Sequence, residues 1–215
     1  MFMLSIEKIM KSSPVIPVIV IENLADAVPL ANALVKGGLR VLEVTLRTEF
    51  GLAAITEIRR AIPDAIVGAG TVISSDDLGN AVAAGSQFLV SPGSTDKLIE
   101  AALAQSVPIL PGVATPSEAM NLLARGISHM KFFPAQAAGG IAMLKSINGP
   151  LPQIKFCPTG GISSETASDF LALENVYCVG GSWMLDKLDI ERKDWAAIER
   201  KSKAASQIGV SSSNT

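Results

Sequence analysis

The sequence predicts an α/β fold, a (β/α)8 TIM barrel with a short N-terminal helix, and three observations predict it. Eight short runs rich in β-branched residues recur at start-to-start spacings of 20 to 26 residues. Ala- and Leu-rich stretches with helix-start and helix-stop residues lie between them. The mean hydropathy is +0.39, yet no apolar run approaches the ~18–20 residues that span a bilayer. Strict strand–helix alternation means parallel strands with crossover helices. Strands of that kind are buried on both faces, which accounts for the hydropathy. Eight such units in 215 residues make a compact barrel, against the ~250 residues typical of the class. A doubly wound open sheet would carry a Gly-rich turn after its first strand. Ile21-Glu22-Asn23-Leu24 contains no glycine.

The elements follow in order. Residues 1–12 read as an amphipathic helix with Ile6, Ile9 and Met10 on one side. Glu7 interrupts its apolar part and no small-residue cleavage site follows, unlike a signal peptide. The predicted strands are residues 15–21, 41–46, 66–72, 88–91, 108–113, 129–133, 155–159 and 176–179. The helix after the first strand starts at Asn23 and stops at the Gly37-Gly38 pair. Later helices open at Ser74, at Ser94-Thr95-Asp96, at Thr115-Pro116 and at Ser163-Ser164-Glu165. One barrel domain is expected over 1–215, with residues 207–215 a frayed polar tail.

Composition excludes several classes. With 48% hydrophobic and 18% charged residues the chain is not disordered. A net charge of −2 gives no footprint for nucleic acid or an anionic membrane surface. A single His and two Cys cannot build a His-rich or Cys-rich metal centre. Cys157 and Cys178 read as small buried hydrophobes. Without an export signal they are expected to be reduced and the protein cytoplasmic.

In such a barrel the chemistry sits at the C-terminal strand ends. The polar residues there are Glu43, Arg47, Thr71, Lys131 and Thr159. Lys131 interrupts an apolar strand, and alternation puts it on one face with His129 and Phe133. A lysine in a barrel lumen is costly to keep charged, and a neutral amine is a nucleophile for a ketone. The bland alternative is a strand-end lysine that reaches solvent. Glu43 shares its face with Val41, Thr45 and Arg47, and Arg47 lies roughly 13 Å further along an extended strand. That suits a buried acid/base beneath an anion-binding guanidinium. A structural Glu43–Lys131 ion pair fits the same pattern. Gly160-Gly161 and Gly180-Gly181-Ser182 follow strands seven and eight, where barrels often bind phosphate. Plain turns are the alternative. His129, early on its strand, reads as structural.

These segments resemble the 2-keto-3-deoxy-6-phosphogluconate (KDPG) aldolase / 4-hydroxy-2-oxoglutarate (KHG) aldolase family over nearly the whole chain. The resemblance rests on Arg40-Val-Leu-Glu-Val-Thr-Leu-Arg-Thr-Glu49, Val67-Gly-Ala-Gly-Thr71, Ser91-Pro-Gly93, Lys131-Phe-Phe-Pro-Ala135 and Phe156-Cys-Pro-Thr-Gly-Gly161. It implies a cytoplasmic, homotrimeric class I aldolase that needs no metal or other cofactor. Its substrate would be a phosphorylated keto acid, cleaved to pyruvate and glyceraldehyde 3-phosphate, with KHG a second substrate. Lys131 would be the Schiff-base lysine and Glu43 the general acid/base. Arg47 and Thr71 would hold the carboxylate end, and Pro92, Phe133 and Thr159 would contact substrate. Gly160, Gly161, Gly181 and Ser182 would take the phosphate. One departure is Gln136, where relatives usually carry an acidic residue. An aldolase for the 6-phosphogalactonate epimer, a phosphate-binding barrel enzyme that forms no imine, and a sugar-phosphate sensor remain as alternatives. A sensor needs no buried lysine.

Overall fold

A computed structural model describes residues 4–105 and 107–209. The chain runs α1 (Ile6–Lys11), β1 (Val15–Ile19), α2 (Leu24–Lys36), β2 (Val41–Thr45), α3 (Gly51–Ala61), β3 (Ile66–Gly70) and α4 (Ser75–Ala83). It continues through β4 (Leu89–Val90), α5 (Asp96–Ala104), β5 (Ile109–Leu110), β6 (Gly112–Val113), α6 (Pro116–Leu123) and β7 (His129–Phe132). It closes with α7 (Gly140–Asn148), β8 (Lys155–Pro158), α8 (Ala167–Leu171), β9 (Val179–Gly181), α9 (Lys187–Glu191) and α10 (Trp195–Ser206). The expected tail lies, for residues 210–215, outside the described residues, as do residues 1–3 of the expected first helix.

Every strand pair is parallel, in the order β5-β4-β3-β2-β1-β9 for one sheet and β6-β7-β8 for the other. The two sheets are one barrel wall. The predicted fifth strand is interrupted at Pro111, which has no N–H to give to a ladder. Its first half, β5, pairs with β4, and its second half, β6, pairs with β7. The Pro111 carbonyl still accepts from the Lys131 N–H at 2.9 Å. At the other seam the bridges Phe156↔Val176 and Thr159↔Gly180 join the β8 and β9 segments. Among the described residues nine strand segments therefore form eight staves. The eighth also differs from expectation: its ladder with β1 lies at Val179–Gly181, C-terminal to the predicted 176–179.

Side chains alternate between two cores. Val15, Leu42, Val67, Met130 and Phe156 face the helices, while Ile16, Val41, Phe88, Cys157 and Cys178 face the lumen. The lumen cluster also contains Ile9 and Met10 of α1, both fully buried. The amphipathic first helix thus closes the N-terminal end of the barrel. Burying each of these two side chains contributes about 1.5–3 kcal/mol.

Helix starts follow the residues that announce them. Asn23, Ser74, Thr95 and Thr115 are N-caps, and Ser74 and Thr115 form capping boxes with Asp77 and Glu118. The helix expected at Ser163 starts later, at Ala167, because Thr166 Oγ1 accepts from the Ser163 N–H at 3.0 Å and holds a turn there. Among the described residues no helix is long and apolar enough to cross a membrane.

Candidate active site

β2 and β7 lie four staves apart in a ring of eight, so their inward side chains face each other across the lumen. Lys131 Nζ donates to Glu43 Oε1 at 3.0 Å, and the two side chains are only 5% and 4% exposed. Every other ion pair among the described residues keeps one partner in solvent. Lys131 does not snorkel. It sits between Gly112 of β6 and Cys157 of β8 in the register, with Nζ 5.5 Å from the centre of the Phe133 ring.

The carboxylate fits because its neighbour is a glycine. A Cβ at Gly70 would lie 2.6 Å from Glu43 Cγ, closer than packed atoms come. A Cβ at Gly180 would likewise lie 2.9 Å from Thr159 Cγ2. Sequence reasoning assigned no role to either contact. The only signal for Gly70 is the alternation in Val67-Gly-Ala-Gly, which puts both glycines on the lumen face. Thr45, which alternation puts on the Glu43 face, and Ser91 likewise carry no role assigned from the sequence. Both are fully buried polar residues, and Thr45 Oγ1 donates to the Ile19 carbonyl at 2.9 Å.

The remaining predicted residues ring the mouth. Arg47 lies in the turn after β2 rather than on the strand, is exposed, and forms no ion pair among the described residues. Thr71, directly after β3, has φ +63, a costly conformation for a β-branched residue. Ala69 and Val72 both join the outer core, so two residues rather than one separate them. The kink at Thr71 takes up the extra residue at the mouth. Pro92 and Phe133 are half-buried after β4 and β7. Thr159 is buried at the end of β8.

The bridge Thr159↔Gly180 places the two glycine loops side by side. Gly160 and Gly161 have φ +103 and +78, which L side chains rarely adopt, so these glycines are needed for the backbone path. Ser182 is exposed and lines a cleft of about 480 Å3 with Val18, Val20, Asn23 and Lys187. Gly181 differs from its neighbours: it is buried, and the Trp183 indole fills the space beside it.

The other polar groups do not join the site. Burial pushes the Cys178 thiol well up, with Cys157 and Glu43 adding to the effect, so it stays protonated. His129 lies at the opposite end of β7, with Nδ1 3.2 Å from Ser128 Oγ and its ring 5.9 Å from that of Tyr177. Partial burial lowers its pKa, Glu7 opposes this, and Lys11 and Lys155 reinforce it. Among the described residues no group of three or more His, Cys, Asp or Glu side chains is placed to hold a metal ion.

Comparison with known proteins bears on this geometry. A family model described as KDPG and KHG aldolase matches residues 6–201. The KHG/KDPG aldolase of Escherichia coli (strain K12) is 48% identical over 201 residues, covering 94% of each chain. A KDPG aldolase from Legionella pneumophila was solved with pyruvate captured at low pH as a covalent carbinolamine intermediate. It is 50% identical, with a TM-score of 0.91 over 93% of this chain and 97% of that one. The 2-keto-3-deoxy-6-phosphogluconate aldolase of Zymomonas mobilis ZM4, solved with 3-phosphoglycerate, is 46% identical. Its TM-score is 0.89, over 96% of this chain and 97% of that one.

The buried pair makes an energetic prediction. Lys131→Met strands a carboxylate in the lumen and should destabilise the fold by about 3–5 kcal/mol. Lys131→Met with Glu43→Gln removes both charges and should recover most of that loss. Urea unfolding of the three proteins checks this. Equal stability of the single and double variants would mean that Glu43 is not paired across the lumen.

Proposed function

The chain belongs to the KDPG and KHG aldolase family, and from that membership we propose how its own residues carry out a class I aldol cleavage. The reaction takes 2-keto-3-deoxy-6-phosphogluconate to pyruvate and glyceraldehyde 3-phosphate. The observation that carries the residue assignment is the 3.0 Å contact of Lys131 Nζ with Glu43 Oε1 in a closed lumen. It puts a nucleophile and a proton acceptor within reach of one substrate carbon chain.

The amine of Lys131, its proton passed to Glu43, attacks the C2 ketone and forms a carbinolamine. Glu43 returns that proton to the carbinolamine hydroxyl, and loss of water gives a protonated imine that draws electrons from C3. Glu43, directly or through a water, takes the C4 hydroxyl proton. The C3–C4 bond then breaks, its electrons move into the enamine, and glyceraldehyde 3-phosphate leaves. Protonation of the enamine at C3 and hydrolysis of the imine release pyruvate and restore the amine. One carboxyl group moves a proton in several steps, which explains its place against Nζ rather than in a separate pocket.

Binding groups surround this centre. Arg47, free of any protein carboxylate among the described residues, and Thr71 hold the keto-acid carboxylate at the mouth. Phe133, Pro92 and Thr159 line the path of the carbon chain. Gly160, Gly161, Gly181 and Ser182 take the phosphate, with Gly160, Gly161 and Ser182 supplying the accessible groups and the buried Gly181 shaping the loop. KHG serves as a second substrate, giving pyruvate and glyoxylate. Its cleavage uses the same ketone, C4 hydroxyl and Lys131–Glu43 pair and needs no phosphate.

The enzyme works in the cytoplasm as a homotrimer. Ile73, Leu103, Met120 and Leu188 are exposed large apolar residues, of the kind that contact with further copies would cover. Sedimentation equilibrium should give about three times the 22.4 kDa chain mass. A monomer at micromolar concentration would contradict the assembly.

Borohydride reduction in the presence of pyruvate tests the chemistry. One stable adduct is expected, at Lys131, by peptide mass spectrometry, and none in Lys131→Ala. Glu43→Gln should still be trapped while its cleavage rate falls by about 10²–10⁴. A wild type that resists trapping contradicts the imine, and undiminished cleavage in Glu43→Gln removes that residue from its role.

A further inference from the structure

The guanidinium of Arg47 meets no carboxylate among the described residues, and it stands in a turn rather than on a strand. A free arginine loses rotamer freedom when a ligand immobilises it, so its aim depends on how firmly that turn is held. Two threonines flank it. The last β1–β2 register pair is Ile19↔Val44. Past it, hydroxyls continue what the backbone ladder began. Thr45 Oγ1 donates to the Ile19 carbonyl at 2.9 Å, and Thr48 Oγ1 donates to the Ile21 carbonyl at 2.6 Å. Ile21 lies two residues beyond the end of β1. On the other side, the Leu46 N–H donates to the Gly70 carbonyl at 2.8 Å, one residue before Thr71. The Thr48 carbonyl accepts from the Gly51 N–H at 3.3 Å, where α3 starts. The residues on either side of Arg47 are thus bonded to β1, to β3 and to α3.

We propose that Thr48 is a positioning residue: its hydroxyl anchors the turn to the end of β1 and so sets where the Arg47 guanidinium meets the carboxylate of the keto acid. This rests on the reading above that Arg47 binds that carboxylate. A bidentate guanidinium–carboxylate pair tolerates little misplacement, because two parallel hydrogen bonds fix both distance and plane. Valine has nearly the shape of threonine without the donor. In its place the Ile21 carbonyl would lose that partner and turn toward water. The bonds of Leu46 and Gly51 would remain, so the turn would shift rather than unfold. Lys131 and Glu43 lie deeper in the lumen and bond each other rather than Thr48. The chemical step should therefore be spared, and the loss should fall on binding common to ground state and transition state, which appears in KM and not in kcat.

The test compares Thr48→Val, Thr48→Ser, Arg47→Ala and the double variant of Arg47→Ala with Thr48→Val. Each is assayed for KDPG cleavage and for the pyruvate concentration that gives half-maximal borohydride trapping. Arg47→Ala should raise the KM and that concentration about 10- to 100-fold. Thr48→Val should raise both about 5- to 20-fold, with kcat within about twofold of wild type. Thr48→Ser keeps the hydroxyl and should stay within about twofold of wild type throughout. In the Arg47→Ala background, Thr48→Val should add less than about a further twofold, because no guanidinium is left to aim. Fully additive losses overturn the proposal, since the hydroxyl then acts independently of Arg47. A loss in Thr48→Ser equal to that in Thr48→Val also overturns it, as does a fall in kcat at constant KM. If Thr48→Val does not fold, Thr48→Ala is held to the same criteria. Unchanged KM in Thr48→Val beside a raised KM in Arg47→Ala overturns the role of Thr48 alone. Unchanged KM in Arg47→Ala removes the carboxylate from Arg47, and the proposal falls with that reading.

Discussion

Two opposite charges held 3.0 Å apart inside an apolar barrel are the constraint on which the rest of the structure depends. Removing both from water costs several kcal/mol per ion, and their attraction offsets this only while the contact geometry holds. An apolar pair of similar volume would serve stability as well or better, so stability alone does not account for Lys131 and Glu43. The barrel supplies the geometry. Opposite staves aim the two side chains at each other, and Gly70 leaves the room that Glu43 fills. Phe88, Val90 and Leu110 line the lumen, and α1 seals its N-terminal end with Ile9 and Met10. Solvent therefore reaches the pair from the mouth.

That arrangement separates two tasks along the strands. The N-terminal ends hold apolar packing and the half-buried His129, whose pKa is lowered and whose partners are local. The C-terminal ends hold the exposed guanidinium of Arg47, without an ion-pair partner among the described residues, and the strained Thr71 on one side. Adjacent glycine loops lie on the other, fixed by the Thr159↔Gly180 bridge. An extended substrate that is anionic at both ends matches this distribution. The buried amine of Lys131 lies between the two sides.

Much of this was legible in the sequence, for identifiable reasons. A lysine within His-Met-Lys-Phe-Phe is visible because strand alternation has a fixed period and a charge breaks it. Glu43 is visible by the same rule. Capping residues marked the helix starts at Asn23, Ser74, Thr95 and Thr115 because their side chains bond the first turn locally. What escaped depends on contacts between distant segments or, at α8, on a local turn that competes with the helix. The split at Pro111 changes which neighbour each half of a strand meets. The late start of α8 follows from a hydrogen bond between Thr166 and Ser163. The need for glycine at 70 appears only when Glu43 of the neighbouring strand is placed beside it. Parity also carried Arg47 too far, because β2 ends at Thr45 and the guanidinium stands in a turn.

The central claim is that Lys131, paired with Glu43, turns a keto acid into an enamine. Proton exchange of pyruvate alone tests it most directly, since no aldehyde or phosphate is involved. In D2O the methyl group of pyruvate should lose its proton NMR signal with wild-type enzyme, because each enamine is reprotonated from solvent. Glu43→Gln should exchange slowly, and Lys131→Met should not exceed the rate without enzyme. Exchange by Lys131→Met at the wild-type rate would contradict the account.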